Sequence, residues 1–252
     1  MVKSNNELIQ RRKRKVRIKR MFLFTIILIA ALVTLCLKLP YFNIKNINIS
    51  NNKIVKSEQI QNYIKSAYGT NIFYLNTSKL EASFKSDPYI SSVQITKKLP
   101  NTLNVEVAER NAVFFVKKGN KYDVIDNNGM VLEESSSIQN MNLIELIGVD
   151  ANKLQVSKQI SVNDPSELSF INSITAIILN NASCKSINKV DISNSSAISV
   201  YYNNICIKLG SADDLVKQLN EAINIILAEN LQKSNGYVDV SSVTHPVYAV
   251  QK

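Results

Sequence analysis

The sequence predicts an α+β fold that follows a single N-terminal transmembrane helix. Three observations lead to this prediction. A long apolar run without charges lies near the N-terminus. Residues 42–110 show apolar periodicities in the order β-α-α-β-β. Residues 111–240 are patterned mostly as antiparallel strands, with an amphipathic helix and a last strand at the end. Residues 241–252 are predicted to form an extended C-terminal tail.

The apolar run covers residues 21–37 and contains seventeen consecutive uncharged positions. As a helix it would be about 26 Å long, close to the thickness of the bilayer hydrocarbon. Lys38 can extend its charge to the interface, and Pro40 ends the helix. The run therefore predicts a transmembrane helix over residues 21–39.

The charges on either side of this run predict its orientation. Residues 1–20 carry nine basic side chains and one acidic side chain. The positive-inside rule then places this tail in the cytoplasm and everything after residue 39 outside it, as in a single-pass type II protein. A cleavable signal peptide is the alternative, but no A-x-A-like cleavage site follows Leu37. Residues 21–252 are nearly neutral, which argues against a nucleic-acid partner.

The segment 42–110 contains five predicted elements. Ser57 is a candidate N-cap for the first helix, and Gly69 is a candidate for its C-terminal end. The predicted elements are a strand at 44–50, a helix between the caps Ser57 and Gly69, a helix at 78–84, and strands at 93–95 and 103–108.

The segment 111–240 is predicted to contain eight strands and two helices. Asp164-Pro165 marks the start of the first helix, and Ser211 is the predicted N-cap of the second. Asp213 and Asp214 are expected in its first turn. The predicted strands cover 112–116, 122–125, 130–132, 143–147, 187–192, 197–202, 205–209 and 237–240, and the helices cover 165–179 and 212–231. The expected apolar stripe of the second helix is Leu215, Val216, Leu219, Ala222, Ile223, Ile226 and Leu227.

Residues 88–110 resemble the POTRA domain of the FtsQ/DivIB family of bacterial cell-division proteins. The resemblance rests on the motifs at 88–93 (PYISSV), 97–103 (KKLPNTL), 105–107 (VEV) and 109–110 (ER). Residues 42–51 and 69–73 fit the same domain. Residues 209–211, 214–215 and 237–240 are similar to the second domain of that family, although Ser241-Ser242 follows the last strand where the family often has an aromatic or basic pair.

The resemblance implies a function in cell division. It implies a bitopic divisome scaffold at the division septum that binds the septal membrane proteins FtsL and DivIC, the counterpart of FtsB. Such a scaffold would help to localise or regulate septal peptidoglycan synthesis. Two alternatives remain open: a membrane-anchored enzyme that modifies the cell wall, and a POTRA-type chaperone for translocated polypeptides.

No residue pattern predicts a catalytic, cofactor-binding or metal-binding site. The six glycines are dispersed, so no phosphate-binding glycine loop is present. His245 is the one histidine of the sequence and lies in the predicted tail. Cys184 and Cys206 could pair as a disulfide or remain two small buried hydrophobic residues.

The predicted partner-binding site is the last strand and the tail after it. An end strand is often an edge strand, and an open edge can accept a strand from a partner. The alternative is that Tyr237, Val238 and Val240 only complete the core. The candidate residues are Tyr237, Val238, Asp239, Val240 and Tyr248.

Overall fold

The computed structural model describes residues 2–162 and 164–251, and these form two compact units. The first unit contains residues up to 84 together with 92–108. The second contains 85–91 and the residues from 109 onward. Residues 1 and 252, at the far ends of the two predicted tails, lie outside the described residues.

The first unit begins with one long helix, α1 (Val2–Lys38). Its part Gln10–Lys38 contains an 18-residue stretch with a mean hydropathy of 2.5, so it is long and apolar enough to cross a membrane. The hydroxyls of Thr25 and Thr34 each donate a 2.8 Å hydrogen bond to the carbonyl four residues earlier. Both hydroxyls are therefore satisfied within the helix, as an apolar environment requires. The predicted tail and the predicted transmembrane segment are continuous in this helix.

The β-α-α-β-β order predicted for the first domain is confirmed. The elements are β1 (Asn46–Ser50), α2 (Ser57–Ile64), α3 (Thr77–Ser83), β2 (Ile90–Lys98) and β3 (Thr102–Glu109). The strands form a sheet in the order β1-β3-β2, and β1 runs parallel to β3. The core residues, all at most 6 % exposed, include Ile44, Ile60, Ile64, Leu80, Leu103 and Val105.

The predicted N-cap at Ser57 and the predicted C-terminal end at Gly69 are both wrong for α2. Ser57 is the first residue of the helix and Lys56 holds the cap position. The Ser57 hydroxyl instead accepts a 3.0 Å bond from the Asn52 amide. At the other end the helix stops at Ile64 and a 3₁₀ turn follows. The chain leaves the helix direction before Gly69, because the Gly69 amide donates to the Ile44 carbonyl at 3.0 Å. Gly69 also has a φ of 75°, which is not helical.

The second unit is built on a sheet of nine strands. The sheet order is β12-β11-β10-β9-β8-β7-β4-β5-β6. Among the described strands, the pairs β4–β7, β7–β8 and β10–β11 are parallel and the other five are antiparallel. The elements are β4 (Ala112–Lys118), β5 (Lys121–Asp126), β6 (Val131–Ser135), β7 (Ile144–Ile147), α4 (Pro165–Asn180), β8 (Ile187–Asp191), β9 (Ile198–Tyr202), β10 (Ile205–Gly210), α5 (Leu215–Ala228), β11 (Asn235–Asp239) and β12 (Val247–Gln251).

Helices α4 and α5 share one hydrophobic core with alternate residues of the strands. The start of α4 is as predicted, since the Asp164 carboxylate accepts a 2.9 Å bond from the Ser166 amide and Pro165 is the first helical residue. The start predicted for α5 is wrong. The Ser211 hydroxyl donates to Asp213 at 2.6 Å, and Ala212 has a φ of 57°, so helical geometry begins only at Leu215.

The apolar stripe predicted for α5 is correct at five of its seven positions. Val216 is 57 % exposed and Leu227 is 42 % exposed, so these two side chains face solvent. Gln218, which is not predicted to belong to the stripe, is buried instead. Its Nε2 donates to the carbonyls of Leu209 and Val240, at 2.9 and 3.1 Å. The Gln218 side chain thus connects α5 to β10 and to the residue that follows β11.

Candidate partner-binding edge

The strand predicted to form the edge of the sheet is an inner strand. Residues 235–239 form β11, and the tail expected to be merely extended returns as β12 and pairs antiparallel with it. The prediction that residues 237–240 lie at the edge is therefore wrong. The physical reason is that residues 247–251 satisfy the backbone groups of β11 that the edge hypothesis required to be open.

Two of the five candidate side chains belong to the core. Val238 and Val240 are fully buried and are part of the main hydrophobic cluster. For these two residues the structure supports the alternative that they complete the core. Neither side chain could contact a partner without unfolding of this end of the sheet.

Tyr237 and Asp239 lie on the opposite face of β11 and are half-buried. The Lys208 ammonium lies 4.0 Å from the centre of the Tyr237 ring, in cation–π geometry. Asp239 accepts bonds from the amide and the hydroxyl of Ser241, at 3.1 and 2.6 Å. The Lys208–Tyr237 contact joins β10 to β11, and the bonds of Asp239 stabilise the turn that leads the chain from β11 toward β12.

Tyr248 is the candidate residue that the structure places on the edge strand. It is 44 % exposed and lies opposite Val238 in the β11–β12 register. Electrostatic repulsion from Glu229, followed by partial burial and a hydrogen bond to the same carboxylate, raises the pKa of the Tyr248 phenol. Because Glu229 follows the last turn of α5, this bond links β12 to the end of that helix.

β12 has the features of an edge that is open for pairing. Within the described residues no strand lies outside it, so its outer backbone groups have no strand partner. Natural edges are usually protected by charged side chains, proline or bulges. Residues 247–250 are Val, Tyr, Ala and Val, and Val247 is 57 % exposed. The edge thus presents apolar side chains and unpaired backbone groups together.

The other end of the sheet is protected. β6 carries Glu133 and Glu134, and Glu134 forms ion pairs with Lys121 and, at 3.6 Å, Lys118. Charged side chains held along an edge oppose the addition of another strand. Of the two ends of the sheet, β6 therefore carries this charged protection, whereas residues 247–250 of β12 carry no charged side chain.

Gly236 allows β12 to approach β11 closely, and no local sequence pattern indicates this role. A Cβ atom at this position would lie 2.2 Å from the Ala249 carbonyl oxygen and 2.8 Å from the Val250 Cα. Both are backbone atoms and cannot move aside as a flexible side chain can. Glycine is therefore required here for β12 to pair in its observed register.

Chemistry-bearing residues are dispersed in the described part of the chain. No group of three or more His, Cys, Asp and Glu side chains is close enough to hold a metal ion there. His245 is exposed and its Nδ1 lies 2.9 Å from the Thr244 hydroxyl. Cys184 and Cys206, the possible disulfide pair, are both free thiols, and burial raises the pKa of Cys184.

Comparison with known proteins finds two family models that match separate regions of the chain. Residues 42–110 match the model of the FtsQ-type POTRA domain, and residues 114–241 match that of the C-terminal domain of the cell division proteins FtsQ and DivIB. The chain is 45 % identical to the cell division protein DivIB of Clostridium acetobutylicum over 251 residues, or 100 % of each chain after rounding. It is 40 % identical to DivIB of Clostridium botulinum strain Hall, over 99 % of this chain and 98 % of the relative.

The fold and the comparisons define a class of protein with one N-terminal apolar helix, a POTRA domain and a mostly β domain. The chain belongs to the FtsQ/DivIB family of cell-division proteins. A role in cell division follows from this membership. Together, the apolar helix and the family indicate a division protein that is anchored in the membrane.

Proposed function

We propose that this protein is a bitopic scaffold of the divisome and not an enzyme. Its basic N-terminal tail lies in the cytoplasm, and its POTRA and β domains lie outside the membrane at the division septum. There it binds other septal membrane proteins and helps to localise or regulate septal peptidoglycan synthesis. The open β12 edge is the single observation on which this proposal depends.

The binding mode is addition of a partner strand to β12. Backbone hydrogen bonds supply affinity in this mode, each contributing about 0.5–1.5 kcal/mol net. Specificity comes from the side chains, since Tyr248 and Val250 project to one face of the strand and Val247 and Ala249 to the other. The apolar, uncharged character of β12 favours a partner strand with apolar residues at alternate positions.

The partners implied by the family resemblance are two small bitopic coiled-coil proteins, FtsL-like and DivIC-like or FtsB-like. A membrane-spanning helix in each protein confines all of them to one plane. This confinement raises the effective concentration of the partner strand near β12, so a modest edge affinity is sufficient.

The test compares two lysine substitutions in the tagged full-length protein. Val247 on β12 and Val216 on α5 are both valines with 57 % exposure, so Val247→Lys and Val216→Lys are matched. Lysine on an edge strand opposes strand addition. We expect capture from native membranes to recover both partners with the wild type and with Val216→Lys. Val247→Lys should bind both partners about tenfold more weakly, which corresponds to about 1.4 kcal/mol. It should therefore recover less of each partner than the other two proteins.

Equal recovery with both variants would contradict binding at β12. Failure of the wild type to recover any bitopic partner, with hydrolysis of glycan by the purified protein, would favour the wall-modifying enzyme instead. Binding of many unrelated unfolded peptides would favour the chaperone.

A further inference from the structure

The end of the first unit that adjoins α1 carries a group of exposed apolar side chains. Tyr41 is 60 % exposed, Phe73 42 %, Tyr74 65 % and Leu99 59 %. We refer to these four residues as the aromatic end. Three separate parts of the sequence contribute to it: the chain just after α1, the loop before α3 and the turn between β2 and β3.

A side chain fastens the loop of Phe73 and Tyr74 to the last turn of α1. The Asn71 amide Nδ2 donates to the carbonyls of Cys36 and Leu37, both at 3.1 Å. The last carbonyls of a helix lack partners within the helix, so this contact satisfies groups that would otherwise need water. Asn71 Oδ1 also accepts from the Phe73 amide at 3.0 Å. The loop is therefore held at the level where the apolar helix ends.

Ring contacts extend this attachment. The Phe42 ring lies 5.3 Å from the Tyr41 ring and 5.3 Å from the Phe73 ring, between ring centres. The Ile72 amide donates to the Phe42 carbonyl at 2.9 Å. The chain after α1 and the loop before α3 thus form one packed surface.

The turn of Leu99 is held at the same end. The Lys45 amide donates to the Asn101 carbonyl at 2.9 Å, which places the β2–β3 turn beside the start of β1. The Lys97 ammonium donates to the Leu75 carbonyl at 2.7 Å and connects the turn to the Phe73–Tyr74 loop.

The charge of this surface has one sign. Residues 38–46, 68–76 and 96–102 contain Lys38, Lys45, Lys97 and Lys98 and no acidic residue. Each cation near an anionic membrane surface contributes about 1 kcal/mol of attraction. Tyrosine and other aromatic side chains are favoured at the level of the lipid headgroups, where one part of the ring is in an apolar environment and the hydroxyl is hydrated.

We propose that the aromatic end lies in the headgroup region of the bilayer and docks the POTRA domain on the membrane surface. The ligand is the lipid interface itself, preferentially an anionic one. Docking would limit how far the POTRA domain tilts or swings about the end of α1. The inference rests on α1 crossing the membrane and is independent of strand addition at β12.

The absence of tryptophan from the sequence provides a direct test, because any introduced tryptophan is a single fluorescent reporter. Tyr74→Trp and Leu99→Trp report from two parts of the aromatic end that are distant in sequence. Ile54→Trp is the matched control, since Ile54 is 47 % exposed and follows the opposite end of β1. The full-length variants are reconstituted in liposomes that contain anionic lipid, with or without bromine on the acyl chains near the headgroups.

We expect emission of Tyr74→Trp and Leu99→Trp to shift to shorter wavelength and to be quenched by brominated lipid. Emission of Ile54→Trp should be that of a water-exposed indole and should not respond to bromine. If all three variants emit like water-exposed tryptophan and none is quenched, the proposal is overturned. Equal quenching of Ile54→Trp and Tyr74→Trp would also overturn it, because the contact would then not be confined to this end.

Discussion

Arg110 and Asp126 form a buried ion pair in the second unit, with Nη1 and Oδ2 2.8 Å apart. The Asp126 side chain is fully buried, whereas Arg110 retains 21 % exposure. The other Asp126 oxygen accepts from the amides of Asn128 and Met130, both at 2.8 Å. A single carboxylate therefore holds both Arg110 and the β5–β6 turn.

We expect Arg110→Ala to destabilise the protein by about 3 kcal/mol, because it leaves a buried carboxylate without its counter-charge. Urea unfolding of the full-length protein in detergent, followed by circular dichroism, measures this change. The control is Lys153→Ala, which removes an exposed ion pair with Asp150 and should cost less than about 1 kcal/mol. If the two substitutions lowered the free energy of unfolding equally, the buried pair would stabilise the protein no more than the exposed pair.

A methyl group at Gly236 should separate β12 from β11. The Cβ of Gly236→Ala would contact backbone atoms of Ala249 and Val250, so either the edge strand moves or the pair loses about 1–3 kcal/mol. Hydrogen exchange of the amides of β12 measures this local opening, and we expect it to accelerate about tenfold.

Gly119→Ala separates this steric effect from backbone strain. Gly119 lies in the β4–β5 turn and also has a positive φ, 61°. A methyl group added there would meet no atom of a non-adjacent residue within 4 Å. Exchange in β12 should be unchanged in this variant. Unchanged exchange in Gly236→Ala as well would mean that the close approach of the two strands is not required.

Tyr89 should make the stability of the protein decrease at alkaline pH. Burial, and then the neighbouring Glu133 carboxylate, raises the pKa of Tyr89 from 10.0 to about 12. Since the folded protein keeps this proton longer than the unfolded chain, the associated stability is complete below pH 10 and is lost as the pH rises toward 12. Urea midpoints at about pH 9 and about pH 11 should differ more for the wild type than for Tyr89→Phe. If the shift in urea midpoint between the two pH values is the same for both proteins, the Tyr89 phenol does not contribute to the pH dependence of stability.

The orientation of the chain can be tested by proteolysis of intact protoplasts. Nine basic residues precede the apolar segment, so the positive-inside rule predicts that residues 1–20 are shielded in the cytoplasm. External trypsin should degrade the part after residue 42 and leave an N-terminal epitope intact. Lysed protoplasts, in which both parts are accessible, are the control. Protection of the C-terminal part in intact protoplasts would reverse the assigned orientation.

Features that depend on neighbouring residues could be predicted from the sequence. The apolar run of α1, the alternation in β3 and the start of α4 at Asp164-Pro165 each follow from local preferences. The same holds for the β-α-α-β-β order. Predictions of caps at Ser57 and Ser211 failed, because each hydroxyl has a competing polar partner in the folded chain, Asn52 or Asp213.

The candidate site could be predicted only in part. Tyr248 is among the residues that the sequence predicts and lies on the edge, but Val238 and Val240 are core residues. The sequence does not predict residues 247–251 as a strand, because they are short and lack an alternating pattern of polar and apolar residues. The roles of Gly236 and Gln218 depend on atoms that are distant in sequence, so no local pattern could indicate them.

The sequence by itself determined that the chain has one apolar helix with a basic flank, followed by a POTRA domain and a strand-rich domain. It could do so because hydrophobic length, charge asymmetry and periodicity are local properties. Only the tertiary structure decided which strand is the edge, since strand order is set by pairing between distant segments. The same reason applies to the aromatic end, which joins three segments that are separate in the sequence.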